Sequence, residues 1–167
     1  MNKKILGIFV TVLALAMFAV PVMAEQTVTE VTYYPYYPMG SMTYPKILFC
    51  GESGNTLIKS YVEGVIYADE EMTTPLFEYV QEGKVTTNGK TWNQVWHFRH
   101  VWTKIDDPDS GFKGSLNGKG VYFGPGVFPP SDFAVSGVLN GFGECKGQKI
   151  LLEFSWSQGM TGILVTK

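Results

Sequence analysis

The sequence predicts an all-β protein, a single antiparallel β-barrel of about eight strands, with a β-sandwich as the alternative. Three observations predict it. The 167-residue chain holds 19 glycines and 9 prolines and is 14% aromatic but only 17% charged, a mixture that serves helices poorly. Apolar residues alternate with period two in run after run, the mark of half-buried strands. The runs follow one another with turn residues between them and little room for crossover helices, which points to a meander that closes on itself or folds over.

The first segment is not part of that meander. In MNKKILGIFVTVLALAMFAVPVMAEQ, Lys3 and Lys4 lead an apolar stretch from Ile5 to Val20, followed by Pro21 and the small-residue site Val22-Met23-Ala24. This is the pattern of a secretory signal peptide, and the stretch is short against the ~20 apolar residues of a membrane span, so cleavage after Ala24 is expected. No second apolar run of that length follows. The expectation is a protein without a membrane span after cleavage, either secreted or located at the cell surface or in a periplasm. The chain divides into a signal peptide (1–24), a Tyr/Pro-rich arm (25–45) and the barrel domain (46–167). Of its 13 basic residues two fall in the signal peptide, so the mature chain carries 11 against 15 acidic ones, a formal charge of −4. Mild acidity with Arg99 as the sole arginine argues against a nucleic-acid partner.

A strand over 27–34 runs into TYYPYYPMGSMTYP, residues 32–45. Proline cannot donate to a sheet, so this tract reads as an ordered arm packing its tyrosines on the outside or end of the barrel; the alternative is an aromatic surface for a glycan or a partner protein. Cys50 and Cys145 are the only cysteines. In an exported protein an even count without metal-ligand spacing reads as one disulfide, here tying the start of the domain to its end.

Further strands are expected over 58–68, 76–87, 91–105, 112–123, 133–143, 149–156 and 160–166. Asn88-Gly89 and Asn140-Gly141 are the hairpin signals between them. Glycines inside the runs, among them Gly114, Gly118 and Gly137, permit the bends that let a sheet curl closed, which favours the barrel. In the run from Lys149 to Trp156, Ile150, Leu152, Phe154 and Trp156 share one face. Asp106-Asp107-Pro108-Asp109-Ser110-Gly111 and Asp69-Glu70-Glu71 are dense in oxygen ligands but lack calcium-loop spacing, and read as turns. Gly124 to Pro130 forms a rigid apolar loop suited to covering one end.

GSLNGKGVYFG and VSGVLNGFGECKGQKILLEF set a glycine-rich strand before G-x-G-x-x-K-G and an amphipathic strand. Over residues 111–167 this rhythm resembles the C-terminal half of small exported barrels of the allene-oxide-cyclase-like or lipocalin-like kind. The resemblance implies a closed barrel with an apolar interior pocket, and no catalytic residue of those enzymes has a counterpart here. The same stretch is no nucleotide fingerprint, since Lys146 stands where the third glycine belongs and no helix follows.

WNQVWHFRHVW, residues 92–102, concentrates three of the four tryptophans, both histidines and the arginine. On a helix His97 and His100 would share a face and could hold a metal, but Thr, Trp, Val and Phe favour a strand, where the two point to opposite sides. Trp92, Gln94, Trp96, Phe98, His100 and Trp102 then form one face, inward on area grounds, and Val95, His97, Arg99 and Val101 the other, with acidic cross-strand neighbours for His97 and Arg99. Trp96, Phe98, His100 and Trp102 are the candidate ligand-binding wall, with His100 as its polar handle. The expected function is non-enzymatic binding of a small apolar or aromatic ligand or of a partner, with no cofactor and no metal. The alternatives are an isomerase- or cyclase-type barrel enzyme using His100 or an inward carboxylate from Glu63, Glu78, Glu82, Glu144 or Glu153, and a structural cell-surface module. Neither G-x-S-x-G nor H-E-x-x-H occurs.

Overall fold

A computed structural model describes residues 26–36, 38, 41–121, 132–155 and 159–166. The signal peptide, the Gly124–Pro130 loop and Trp156 lie outside the described residues. Nine strands are described: β1 (Thr27–Tyr36), β2 (Met42–Cys50), β3 (Asn55–Tyr67), β4 (Pro75–Thr87), β5 (Asn93–Lys104), β6 (Gly111–Val121), β7 (Asp132–Phe142), β8 (Lys149–Ser155) and β9 (Gly159–Thr166). All pairings are antiparallel, in the order β1-β9-β8-β7-β6-β5-β4-β3-β2.

One further pairing closes the ring. After Tyr33 opposite Met160, β1 leaves β9 and pairs with the far end of β3, from Tyr34 opposite Tyr67 to Tyr36 opposite Val65. The result is a closed antiparallel eight-stranded barrel with β2 outside the ring. β2 continues along the edge of β3 that β1 has left, from Met42 opposite Val62 to Cys50 opposite Asn55. Residues 27–36, assigned above to an arm, are therefore a strand of the barrel, and Tyr33 packs inside it edge-on against Trp102, with ring centroids 5.0 Å apart.

The period-two alternation fills the interior. Trp102, Tyr79, Ile66, Leu116, Leu139, Ile150, Leu152 and Val62 are almost wholly buried, and the outward alternates are exposed, as closure of a half-buried sheet requires. Curvature comes from β6 and β7, where a Cβ at Gly114 would stand 2.0 Å from the Val138 carbonyl oxygen and one at Gly118 2.0 Å from that of Ala134. The backbones approach too closely there for any side chain.

Of the two expected hairpin signals, Asn88-Gly89 does mark the β4–β5 turn and Asn140-Gly141 does not mark a turn. Asn140-Gly141 lies within β7, and the chain turns over Gly143–Gln148 through a 3-10 turn at Gly143–Cys145. At Asn88-Gly89 the loop is longer than two residues and closes at Trp92, which adopts the left-handed φ of 58°. Gly89 serves close approach, since a Cβ there would meet the Gly54 carbonyl carbon at 2.3 Å.

The expected Cys50–Cys145 disulfide is not seen among the described residues, where only the Cys145 side chain is described. Cys145 is a free, buried thiol whose pKa burial pushes up. Cys50 adjoins the β2–β3 turn and Cys145 the β7–β8 turn, and successive antiparallel strands put those turns at opposite ends of the barrel. A disulfide needs Cα atoms within about 7 Å, far less than the length of a strand such as β3.

Candidate functional site

The β4–β5 turn sets which way every side chain of β5 points. The Asn88 side-chain oxygen accepts the Lys90 and Thr91 N–H groups at 2.9 and 3.0 Å, and the Trp92 N–H donates to the Asn88 carbonyl at 2.9 Å. Trp92 thus belongs to the turn rather than to the strand face. Pairing starts at Gln94 opposite Thr87, and the register fixes Gln94, Trp96, Phe98, His100 and Trp102 inward.

The four expected wall residues come together on this face. Phe98, His100 and Trp102 are buried and Trp96 is half-buried. Gly118 lies opposite Trp96, Gly114 opposite His100 and Gly83 opposite Phe98, so rings on β5 lie over positions without side chains. Trp96 stacks edge-on against Phe133 at 4.5 Å and tilts against Phe98 at 5.6 Å. Further along the strand Trp102 is fully buried against Tyr33 and Phe77. Trp96, towards the opposite end of β5, is half-buried among the described residues.

This aromatic wall holds an unusual set of polar atoms. Gln94 Oε1, Trp96 Nε1, both ring nitrogens of His100 and Trp102 Nε1 are buried with no hydrogen-bond partner among the described residues. Gln94 does use its amide, donating to Thr87 Oγ1 at 3.1 Å. An unpaired buried polar atom costs about 1–3 kcal/mol, so five would cost roughly 5–15 kcal/mol, as much as a whole domain's stability. Such a set calls for a partner to satisfy it.

His100 sits mid-strand, 5.5 Å from the Tyr79 ring and 6.2 Å from Phe98. Burial lowers its pKa from 6.5 to about 4, so at neutral pH it is an uncharged imidazole with one donor and one acceptor. Directly opposite lies Gln81, whose Oε1 accepts the Tyr79 hydroxyl at 2.5 Å. The sequence reading missed this pair, although Phe77, Tyr79, Gln81 and Val85 alternate on one face and a lone glutamine among them was a legible sign.

The acid–base alternative loses its carboxylates. Glu63, Glu78, Glu82, Glu144 and Glu153 are all exposed, and none faces the interior. A histidine titrating near pH 4 is poorly matched to proton transfer at neutral pH, since a general base works best with its pKa near the working pH.

On the outer face Arg99 has the expected acidic neighbour, Glu82, at 4.0 Å, while His97 bonds instead to Asn117 through Nδ1 at 2.6 Å. The two acidic segments form turns. Asp107 Oδ1 accepts the Asp109 N–H, and Asp69 accepts from Thr73 and Thr74, bonds that hold its carboxyl below the usual carboxylate range. Two cavities lined by described residues open on the outer wall: about 190 Å³ beside Glu153 and Thr161, and about 330 Å³ beside Tyr61 and Lys84. No family model, curated protein or solved structure matches the chain.

Proposed function

We propose that the protein is an exported binding barrel that holds, without transforming, a small molecule with a flat apolar body and a few hydrogen-bonding groups against the inner face of β5. One observation carries this reading: five buried polar atoms of a single strand have no hydrogen-bond partner among the described residues, within an otherwise apolar lining. Binding sites pair apolar walls with a few convergent polar groups, and Trp96, Phe98, His100 and Trp102 are of that kind. The two indole N–H groups and the His100 donor suit carbonyl or ether oxygens, while the His100 acceptor and Gln94 Oε1 suit hydroxyl or N–H groups. The ligand is amphipathic rather than purely apolar. The signal-peptide pattern of residues 1–24 supports secretion or residence at the cell surface or in a periplasm.

The tight aromatic packing around Trp102 favours a rival reading, a solid barrel with a purely structural role. Tryptophan fluorescence titrated with a panel of flavonoid, indole and long-chain hydroxy-acid probes separates the two. Saturable quenching is expected with at least one probe, and His100→Gln should weaken it by about 1–3 kcal/mol, roughly 5- to 150-fold in Kd. No saturable response from any probe would retire the interior site in favour of the solid barrel.

A further inference from the structure

The register places one row of basic residues, three of them lysines, across the outer wall. Lys46 on β2 lies directly opposite Lys59 on β3, Lys59 opposite Lys84 on β4, and Lys84 opposite His97 on β5. All four are exposed. Like charges directly opposite one another destabilise a sheet, yet no carboxylate lies within ion-pair distance of Lys46, Lys59 or Lys84 among the described residues. The next outward row adds Tyr61, Glu82 and Arg99. Glu82 is the one acid there, and its contact with Arg99 is a loose 4.0 Å between largely exposed groups.

Lys59, Lys84 and His97 of the first row and all three residues of the second line the 330 Å³ groove with Pro45, and Lys46 continues the first row beyond it. The shift in β2 pairing between Thr43 and Lys46 carries Pro45 out of register. The groove therefore combines an unneutralised cationic row with an aromatic ring and a proline ring. The protein as a whole is acidic, with a formal charge of −2.

We infer that this groove binds an acidic polysaccharide. Four side chains on adjacent strands about 4.8 Å apart span about 14 Å, longer than one small anion and suited to a chain bearing repeated charges. Tyr61 and Pro45 offer flat apolar surfaces for the C–H faces of sugar rings, while Glu82 offers an acceptor for hydroxyl groups. Duplex DNA carries a charge per ~1.7 Å and suits strongly basic surfaces, whereas a saccharide with one carboxylate or sulfate per ring has the sparser charge that a few lysines can match. The site is separate from the interior of the barrel and does not rest on a ligand there.

The test uses the full mature chain in calorimetric and affinity-electrophoresis titrations with polygalacturonate and dextran sulfate, against neutral dextran and polyglutamate. Saturable, salt-sensitive binding to at least one acidic polysaccharide is expected, with none to dextran and markedly weaker binding to polyglutamate at equal charge. The charge reversal Lys59→Glu/Lys84→Glu should weaken it at least tenfold, with Lys59→Gln/Lys84→Gln as a milder second variant. Tyr61→Ala should weaken it severalfold, and His100→Gln should leave it unchanged. Near-ultraviolet circular dichroism checks that each variant is folded. No binding to either acidic polysaccharide, or equal affinity in the wild type and both lysine variants, would overturn the site. Equal affinity for polyglutamate would overturn the saccharide assignment.

Discussion

The two faces of β5 carry the two histidines into opposite circumstances three residues apart. His97 faces water, bonds to Asn117 and stands at the end of a lysine row; His100 faces inward among Tyr79 and Phe98 with neither ring nitrogen paired among the described residues. The same period-two strand thus makes an electrostatic surface on one side and a desolvated polar site on the other. Residue type alone says little about chemistry here. Facing, set by one turn at Asn88–Trp92, decides it.

The largest expected effect tests whether the inner face holds the fold together. Trp102→Ala removes a fully buried indole from a cluster with Tyr33 and Phe77, and should cost about 3–5 kcal/mol in urea denaturation. Its outward neighbour Val101 is 41% exposed, and Val101→Ala should cost under about 1 kcal/mol. Similar costs for the two would mean that the facing is wrong.

Next in size is pH dependence. An unfolded histidine takes up its proton near pH 6.5, whereas burial delays protonation of folded His100 until about pH 4. Between these values the unfolded state binds the extra proton, so stability falls as pH drops from 6.5 towards 4. At about 1.36 kcal/mol per unit the total is about 3 kcal/mol, with no contribution above 6.5 and no further loss below 4. His100→Gln should flatten that portion of the stability profile. A profile that His100→Gln leaves unchanged would show that the ring is not desolvated.

Much of this contrast was legible in the sequence because it rests on alternation. The run 91–105 gave β5 and the inward set Trp96, Phe98, His100 and Trp102, and the alternation of 133–143 and 149–156 located β7 and β8 closely. Trp92 was misread because a tryptophan fits the strand pattern, while the turn's hydrogen bonds hold it in a left-handed conformation. Asn140-Gly141 misled because its glycine is needed for close approach, a Cβ there meeting the Cys145 carbonyl oxygen at 1.9 Å. The strand β2 was hidden by Pro45 and by its position outside the ring, where no face is buried and no alternation is required. The cysteine pair shows a different limit: compartment bears on whether disulfides form, but only topology shows which residues can meet. Topology also hid the lysine row, whose members lie far apart in sequence and meet only through the register of β2, β3, β4 and β5.

The smallest effect sharpens the outer side of the comparison. Lys84 stands opposite Lys59 with no carboxylate partner among the described residues, so Lys84→Glu replaces an unfavourable cross-strand neighbour by a favourable one. A directly opposed charge pair is worth about 0.2–1 kcal/mol, which makes the variant slightly more stable than the wild type in low salt, with Lys84→Gln between the two. The gain should shrink as ionic strength rises and the Debye length falls to about 3 Å at 1 M. A gain that persists in 1 M salt would point to changed strand propensity rather than charge, and a loss would mean that the row's lysines are already neutralised in the folded protein. A salt-sensitive gain would identify the row as a feature that weakens the isolated fold, the energetic signature of a surface kept for a charged partner.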